Sequence, residues 1–183
     1  MTDGLIVTDD QLVRLGHRVL CLAFAWYEWE KFRREEQATD PIDSLLRFDD
    51  DELSSTLLSL ASLARALDDQ TSVLGEAGRV FPNGVGYLEI DGSRESLSPR
   101  EACNKIIHAS RVNIDTAVVD RNPIWDRWYR SQGHDVHGVF KAPALLLEGS
   151  RQNGKGWFAR VELVPYAYAT ALGDVTRWNL AAV

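Results

Sequence analysis

Leu97-Ser98-Pro99-Arg100-Glu101-Ala102-Cys103-Asn104-Lys105-Ile106-Ile107-His108-Ala109-Ser110-Arg111 is the stretch from which both the fold and the chemistry of this chain are read. Ser98 is an N-cap whose hydroxyl can accept from the third helical amide, Pro99 fills the first helical position where no donor is missed, and Glu101 can reach back to the cap. At 100° per residue, Ala102, Cys103, Ile106, Ile107, Ala109 and Ser110 share one side of this helix. Arg100, Asn104, His108 and Arg111 gather within roughly 80° on the other. A buried face with a polar stripe beside it is expected.

Upstream, Thr8-Asp9-Asp10-Gln11 is a capping-box signature, and Leu12, Leu15, Val19, Leu22, Ala23, Trp26 and Phe32 follow at helical spacing. The spacing predicts a long first helix to about Arg34. Trp26, Tyr27, Trp29 and Phe32 widen its apolar surface beyond one small bundle face; they read as core, and the sharper reading is that part of them faces a partner chain. His17 reads as a structural histidine. Asp49-Asp50-Asp51-Glu52 sets acidic residues at the start of a second helix, ahead of Leu53, Leu57, Leu60, Ala61, Ala64 and Leu67, running to about Gln70. That acidic run reads as a solvated first turn rather than a cation site. Arg65, four residues before Asp69, reads as an exposed pair; the sharper reading is that Arg65, Asp68 or Asp69 faces the Pro99 helix and orients His108.

Between Gly75 and Gly92 the glycines rule out a helix, and Val85 to Ile90 alternates as a short strand ending in an Asp91-Gly92 turn. Gly84 and Gly86 are loop glycines, since no GKS or GKT follows. Ile114 to Val119 reads as a strand, broken at Asn122-Pro123. The segment from Trp125 to His137 is aromatic and basic, with His134 and His137 beside Asp135, and lacks a third strong metal ligand. Ala144 to Glu148 and Trp157 to Leu163 flank Asn153-Gly154, the dipeptide suited to a two-residue hairpin turn. Centred there, the hairpin sets Leu146 opposite Val161, Ala144 opposite Leu163 and Leu147 opposite Arg160. Pro165 then opens a short helix through Leu172, ended by Gly173.

The expected fold is one domain over 1–183, mainly α with a small antiparallel β element. Its helical part covers about 8–112, and a C-terminal hairpin and short helix lie within 113–183. The 183 residues are 45% hydrophobic and 26% charged, with 20 Lys+Arg against 27 Asp+Glu; a net charge of -7 opposes non-specific nucleic-acid binding. Cys21 and Cys103 fall in apolar helical stripes and read as buried, reduced thiols. The start of the chain lacks a signal-peptide pattern, and the apolar run from Val19 to Trp29 is too short to span a bilayer. A cytoplasmic protein without membrane contact is expected.

Two long helices followed by one carrying Asn104 and His108 resemble the HEPN superfamily of helical bundles. Its hallmark is an arginine, often followed by a polar residue such as asparagine, with a histidine four to six residues after the arginine. Here Asn104-x-x-x-His108 matches, while Cys103 stands where the arginine would be, and Arg100 one turn earlier is the substitute charge. The resemblance implies a metal-independent, cofactor-free RNA-cleaving or RNA-binding protein of the toxin–antitoxin or phage-defence type, with two copies meeting at a dimer interface. His108, Asn104 and Arg100 would be its catalytic residues, and Arg111 and Lys105 its substrate-binding cations. Histidine ordinarily titrates near neutrality and can move the 2′-hydroxyl proton, while an arginine steadies charge on the phosphorane. Two alternatives stand beside this: a non-catalytic protein-interaction or dimerisation module, and a small-ligand pocket lined by Trp125, Trp128 and His108.

Overall fold

The computed structural model describes residues 9–36, 41–122, 126–151 and 153–171. Two long helices, α1 (Asp9–Glu36) and α2 (Pro41–Thr71), precede α3 (Val73–Val80), β1 (Gly86–Ile90), β2 (Ser93–Ser96), α4 (Pro99–His108) and β3 (Arg111–Val119). Then come α5 (Asp126–Ser131), β4 (Phe140–Ser150), β5 (Gly156–Glu162) and α6 (Leu163–Ala171). The strands form one antiparallel sheet in the order β2-β1-β5-β4-β3, so the segment through α4 carries the chain from one sheet edge to the other.

This corrects the expected fold class. The chain is α+β with a five-stranded sheet, not a helical bundle with a small β element. Ser93–Ser96 hid the second strand, because all four residues are exposed and offer no apolar alternation. The Asp91-Gly92 turn holds it instead: both residues have positive φ, 51° and 77°, the geometry of a two-residue hairpin whose twist matches its strands. α2 begins at Pro41 rather than at Asp49, since no glycine or proline interrupts the chain from there to Thr71. Gly75 and Gly78 lie inside α3 despite their low helix propensity; Leu74 and Ala77 are buried, and that burial outweighs the backbone cost.

One buried cluster joins the helices to a single sheet face, through Leu88, Leu145, Leu147, Trp157, Ala159 and Val161. α6 lies at its centre. Leu163, Val164, Tyr166, Ala167, Ala169 and Thr170 are all buried, as befits a helix apolar around most of its circumference, and it packs on α1, α2, α3, α4, β4 and β5. α1 approaches closely at Gly16, where an added Cβ would stand 3.2 Å from that of Ala171. Leu172 and Gly173, the expected end of this helix, lie outside the described residues.

The hairpin register differs by one residue from the expected one. Leu145 faces Val161, Leu146 faces Arg160 and Ala144 faces Glu162. Arg151 N–H donates to the Lys155 carbonyl at 2.8 Å, closing three intervening residues, and Gly154 takes a φ of 80°, the glycine position of a three-residue loop. Because side chains alternate, the slip exchanges the faces: Leu145 and Leu147 enter the core, while Leu146 is half-buried on the other side.

Candidate functional site

The polar stripe of α4 divides between two environments. Ser98 caps the helix as expected, accepting from Glu101 N–H at 3.2 Å. Arg100 Nη1 pairs with Asp68, and Arg100 Nη2 donates to Asp69 Oδ1 at 2.8 Å. Arg65 Nε donates to Asn104 Oδ1 at 2.8 Å, and Arg65 Nη1 to Asp69 Oδ1 at 2.8 Å. Asn104 Nδ2 in turn donates to Glu101 Oε2 at 3.0 Å. Asp68 is 3% exposed and also accepts from Leu74 N–H at 2.7 Å, which supplies α3 with the cap that its own Ser72 does not make. These contacts join α2, α3 and α4. Arg65, Asp68 and Asp69 therefore do face the Pro99 helix, but they meet Arg100 and Asn104; no contact to His108 is among theirs.

His108, the last residue of α4, is exposed. It stands two helical turns, about 12 Å of rise, from Arg100. Ala109 is extended, so the helix stops short of Arg111, which belongs to β3 and pairs with Glu148 at 3.3 Å. Lys105 bonds Glu101 at 3.0 Å and lies 4.6 Å above the Trp157 ring. Burial pulls the Glu101 carboxyl upward, but the bonds from Asn104 and Lys105 outweigh it and leave it below the usual glutamate range. The structure thus brings Arg100 and Asn104 together with α2, joins Lys105 to Asn104 through Glu101, and places His108 and Arg111 elsewhere.

Burial pushes the Cys103 thiol up to about 11, with its Sγ 3.5 Å from Tyr166 Oη. Cys21, expected to be buried, is exposed on α1, its Sγ 3.6 Å from His17 Nε2; it sits outside the Leu12, Val19 and Ala23 stripe that is buried. In the β3–β4 connection Arg121 gathers Asp126 at 3.1 Å, Asp135 at 2.6 Å and His137 at 3.0 Å. That ties the connection together around one guanidinium. No cluster suited to a metal occurs among the described residues. Trp125 and the Trp128 side chain, called for a ligand pocket, lie outside the described residues.

A cavity of about 210 Å³ opens instead between α2, α4 and β3, lined by Leu57, Leu58, Ile107, Val112, Leu145 and Leu147 among others. Leu58 is 47% and Val112 40% exposed, at its rim. β3 pairs with β4 alone among the described strands. The Arg151–Lys155 bond fixes the ladder parity: odd residues of β4 bond to β5 and even ones to β3. Through the β3–β4 register, Arg111, Asn113, Asp115, Ala117 and Val119 turn their backbone groups to β4. Those of Val112, Ile114, Thr116 and Val118 point away from the sheet, and their side chains share the face of the cavity. Sequence reasoning passed over this edge; its run of β-branched residues was the available signal.

Neither the family models, nor the curated proteins, nor the solved structures contain a match to this chain.

Proposed function

We propose that this chain is a non-catalytic protein-interaction module whose working surface is the outer edge of β3 with the apolar cavity beside it. One observation carries the reading: four outward-facing backbone positions, Val112, Ile114, Thr116 and Val118, run along the outer side of β3, and the first of them, Val112, lines a cavity walled by leucines and isoleucines. An added strand would gain ladder hydrogen bonds from such an edge, and its alternate side chains would reach the apolar rim. Arg100 and Asn104, held by Asp68, Asp69 and Arg65, serve in this reading to fix α4 against α2. A cytoplasmic location belongs to the proposal and rests on the acidic charge and two free thiols; no described helix is long and apolar enough to cross a membrane.

The test is fluorescence anisotropy with labelled ten-residue peptides that alternate β-branched and polar residues, comparing wild type with Thr116→Pro. Proline there removes an outward donor and takes no bond from the β3–β4 ladder. Binding by the wild type and at least tenfold weaker binding by the variant is the expected result. Equal binding by both, or none by the wild type, contradicts the reading.

The second reading, an RNA-cleaving or RNA-binding protein resembling the HEPN superfamily, is favoured by the exposure of His108 one turn beyond Asn104. Its test is cleavage of labelled RNA in chelator by wild type and His108→Ala. A wild type that cuts and a folded variant that does not would establish it; a wild type that leaves RNA intact removes the cleaving role.

A further inference from the structure

We infer that the contact between Arg121 and His137 is a proton-sensitive latch on the β3–β4 connection, closed while His137 is neutral and opened when its ring takes a second proton. Arg121 Nη2 lies 3.0 Å from His137 Nε2. A guanidinium has only donors and keeps its charge throughout the range in which histidine titrates, so this contact is a hydrogen bond only when Nε2 offers a lone pair. The single proton of the neutral ring therefore sits on Nδ1, which faces Asp120 Oδ2 at 3.4 Å. Asp135 does not compete for Nε2. Its Oδ1 is 3.4 Å from that nitrogen, beyond an ordinary hydrogen bond, and already accepts from Arg121 Nη1 at 2.6 Å.

Protonation reverses the arrangement. Nε2 then carries a hydrogen, and a positive ring stands against a positive guanidinium. The carboxylates of Asp120 and Asp135 flank the ring and take the imidazolium, while Arg121 keeps Asp126 at 3.1 Å and Asp135. Among the described residues, Asp120, Arg121 and Asp135 are the charged groups in contact with the ring. From α5, Asp126 reaches it only through Arg121, and Arg130 holds Asp126 in turn at 2.7 Å.

The His137 side chain is 51% exposed, so the proton arrives from solvent without unfolding. The latch spans 16 positions of the chain, beside the bond from Gly138 N–H to the Asp120 carbonyl at 2.9 Å that closes the same loop. Its sign follows from the acceptor role of Nε2: the Arg121 bond is present above the titration of His137 and is lost as pH falls through it.

Imidazole and guanidinium nitrogen resonances of the labelled full chain test the latch at about pH 8 and about pH 5, on either side of the ordinary histidine range. The His137 signals are assigned by their loss in His137→Ala. At the higher pH the wild type is expected to carry the ring proton on Nδ1, and Arg121→Ala to move it to Nε2. At the lower pH both ring nitrogens should be protonated and the Arg121 guanidinium signals displaced, whereas in His137→Ala those signals should stay in place between the two pH values. The wild-type measurement decides the tautomer even if Arg121→Ala loosens the connection. A proton on Nε2 of the wild type at the higher pH overturns the latch. So do Arg121 signals that move with pH equally in His137→Ala, or not at all in the wild type.

Discussion

Arg65 Nε donates to Asn104 Oδ1 at 2.8 Å across the α2–α4 contact, so the central residue of the α4 polar stripe is engaged with a helix that lies 39 positions earlier in the chain. The same guanidinium reaches Asp69, and Arg100 completes the cluster through Asp68 and Asp69. Three helices are thereby joined by groups that look, from sequence, like surface charges.

Removing the buried carboxylate of this cluster is therefore expected to cost more than removing an exposed one. Asp68→Ala strands Leu74 N–H and removes one of the two carboxylates on Arg100, which keeps Asp69, and should lower stability by about 2 kcal/mol. Asp69→Ala, at a residue that is largely exposed, should cost about 1 kcal/mol or less. Urea denaturation of the two variants measures the difference.

The pH dependence has a definite sign. The Glu101 carboxyl is held below the usual glutamate range, so its bonds with Asn104 and Lys105 stabilise the fold above the unfolded-state value. That contribution disappears as pH falls through the folded-state value. Urea midpoints of wild type and Glu101→Gln should differ by a constant amount from pH 7 to about 5 and draw together as pH falls below the usual glutamate range. A gap that widens on acidification would contradict the assignment.

The one-residue register of the β4–β5 hairpin can be read out by truncation. Leu147→Ala opens a cavity in the core and should cost about 3 kcal/mol, whereas Leu146→Ala, on the half-buried face, should cost about 1 kcal/mol. At Gly149 an added Cβ would stand 2.2 Å from the Trp157 ring, so Gly149→Ala should cost roughly 1–3 kcal/mol by overpacking. Thermal melts of the three variants check the ranking.

Thiol chemistry should distinguish the two cysteines. Cys21 is exposed and Cys103 buried, with the Cys103 thiol pushed up to about 11. Titration of the native protein with a chromogenic disulfide reagent should release one equivalent quickly. The second should appear only at the rate of unfolding, because the thiolate is the reacting species.

The parts of this fold that were legible in the sequence are those fixed by neighbours along the chain. Ser98 and Pro99 announce the start of α4, and the Leu12, Val19 and Ala23 spacing announces α1. What escaped depends on pairing at long range. The exposed Ser93–Ser96 strand is defined by β1, not by its own pattern, and the Asn153-Gly154 turn placed the hairpin but not its loop length, which alone decides whether Leu146 or Leu147 is buried. Of the candidate site, the α4 stripe was visible but its two fates were not: Arg100 and Asn104 turn to α2, while the helix ends at His108 before Arg111 can join them. The β-branched run of β3 marks a strand, but its place on the outside of the described sheet is set by which strands pair with it, and that is not legible in the run itself.

Residue-resolved amide hydrogen exchange along β3 tests the central claim most directly. In dilute protein, Arg111, Asn113, Asp115 and Ala117 should be protected by β4, while Val112, Ile114, Thr116 and Val118 exchange freely. Adding strand peptides should slow the second set at least tenfold and leave the first unchanged. If the outward amides stay fast with strand peptides present, the β3 edge is not an interaction surface and the account fails.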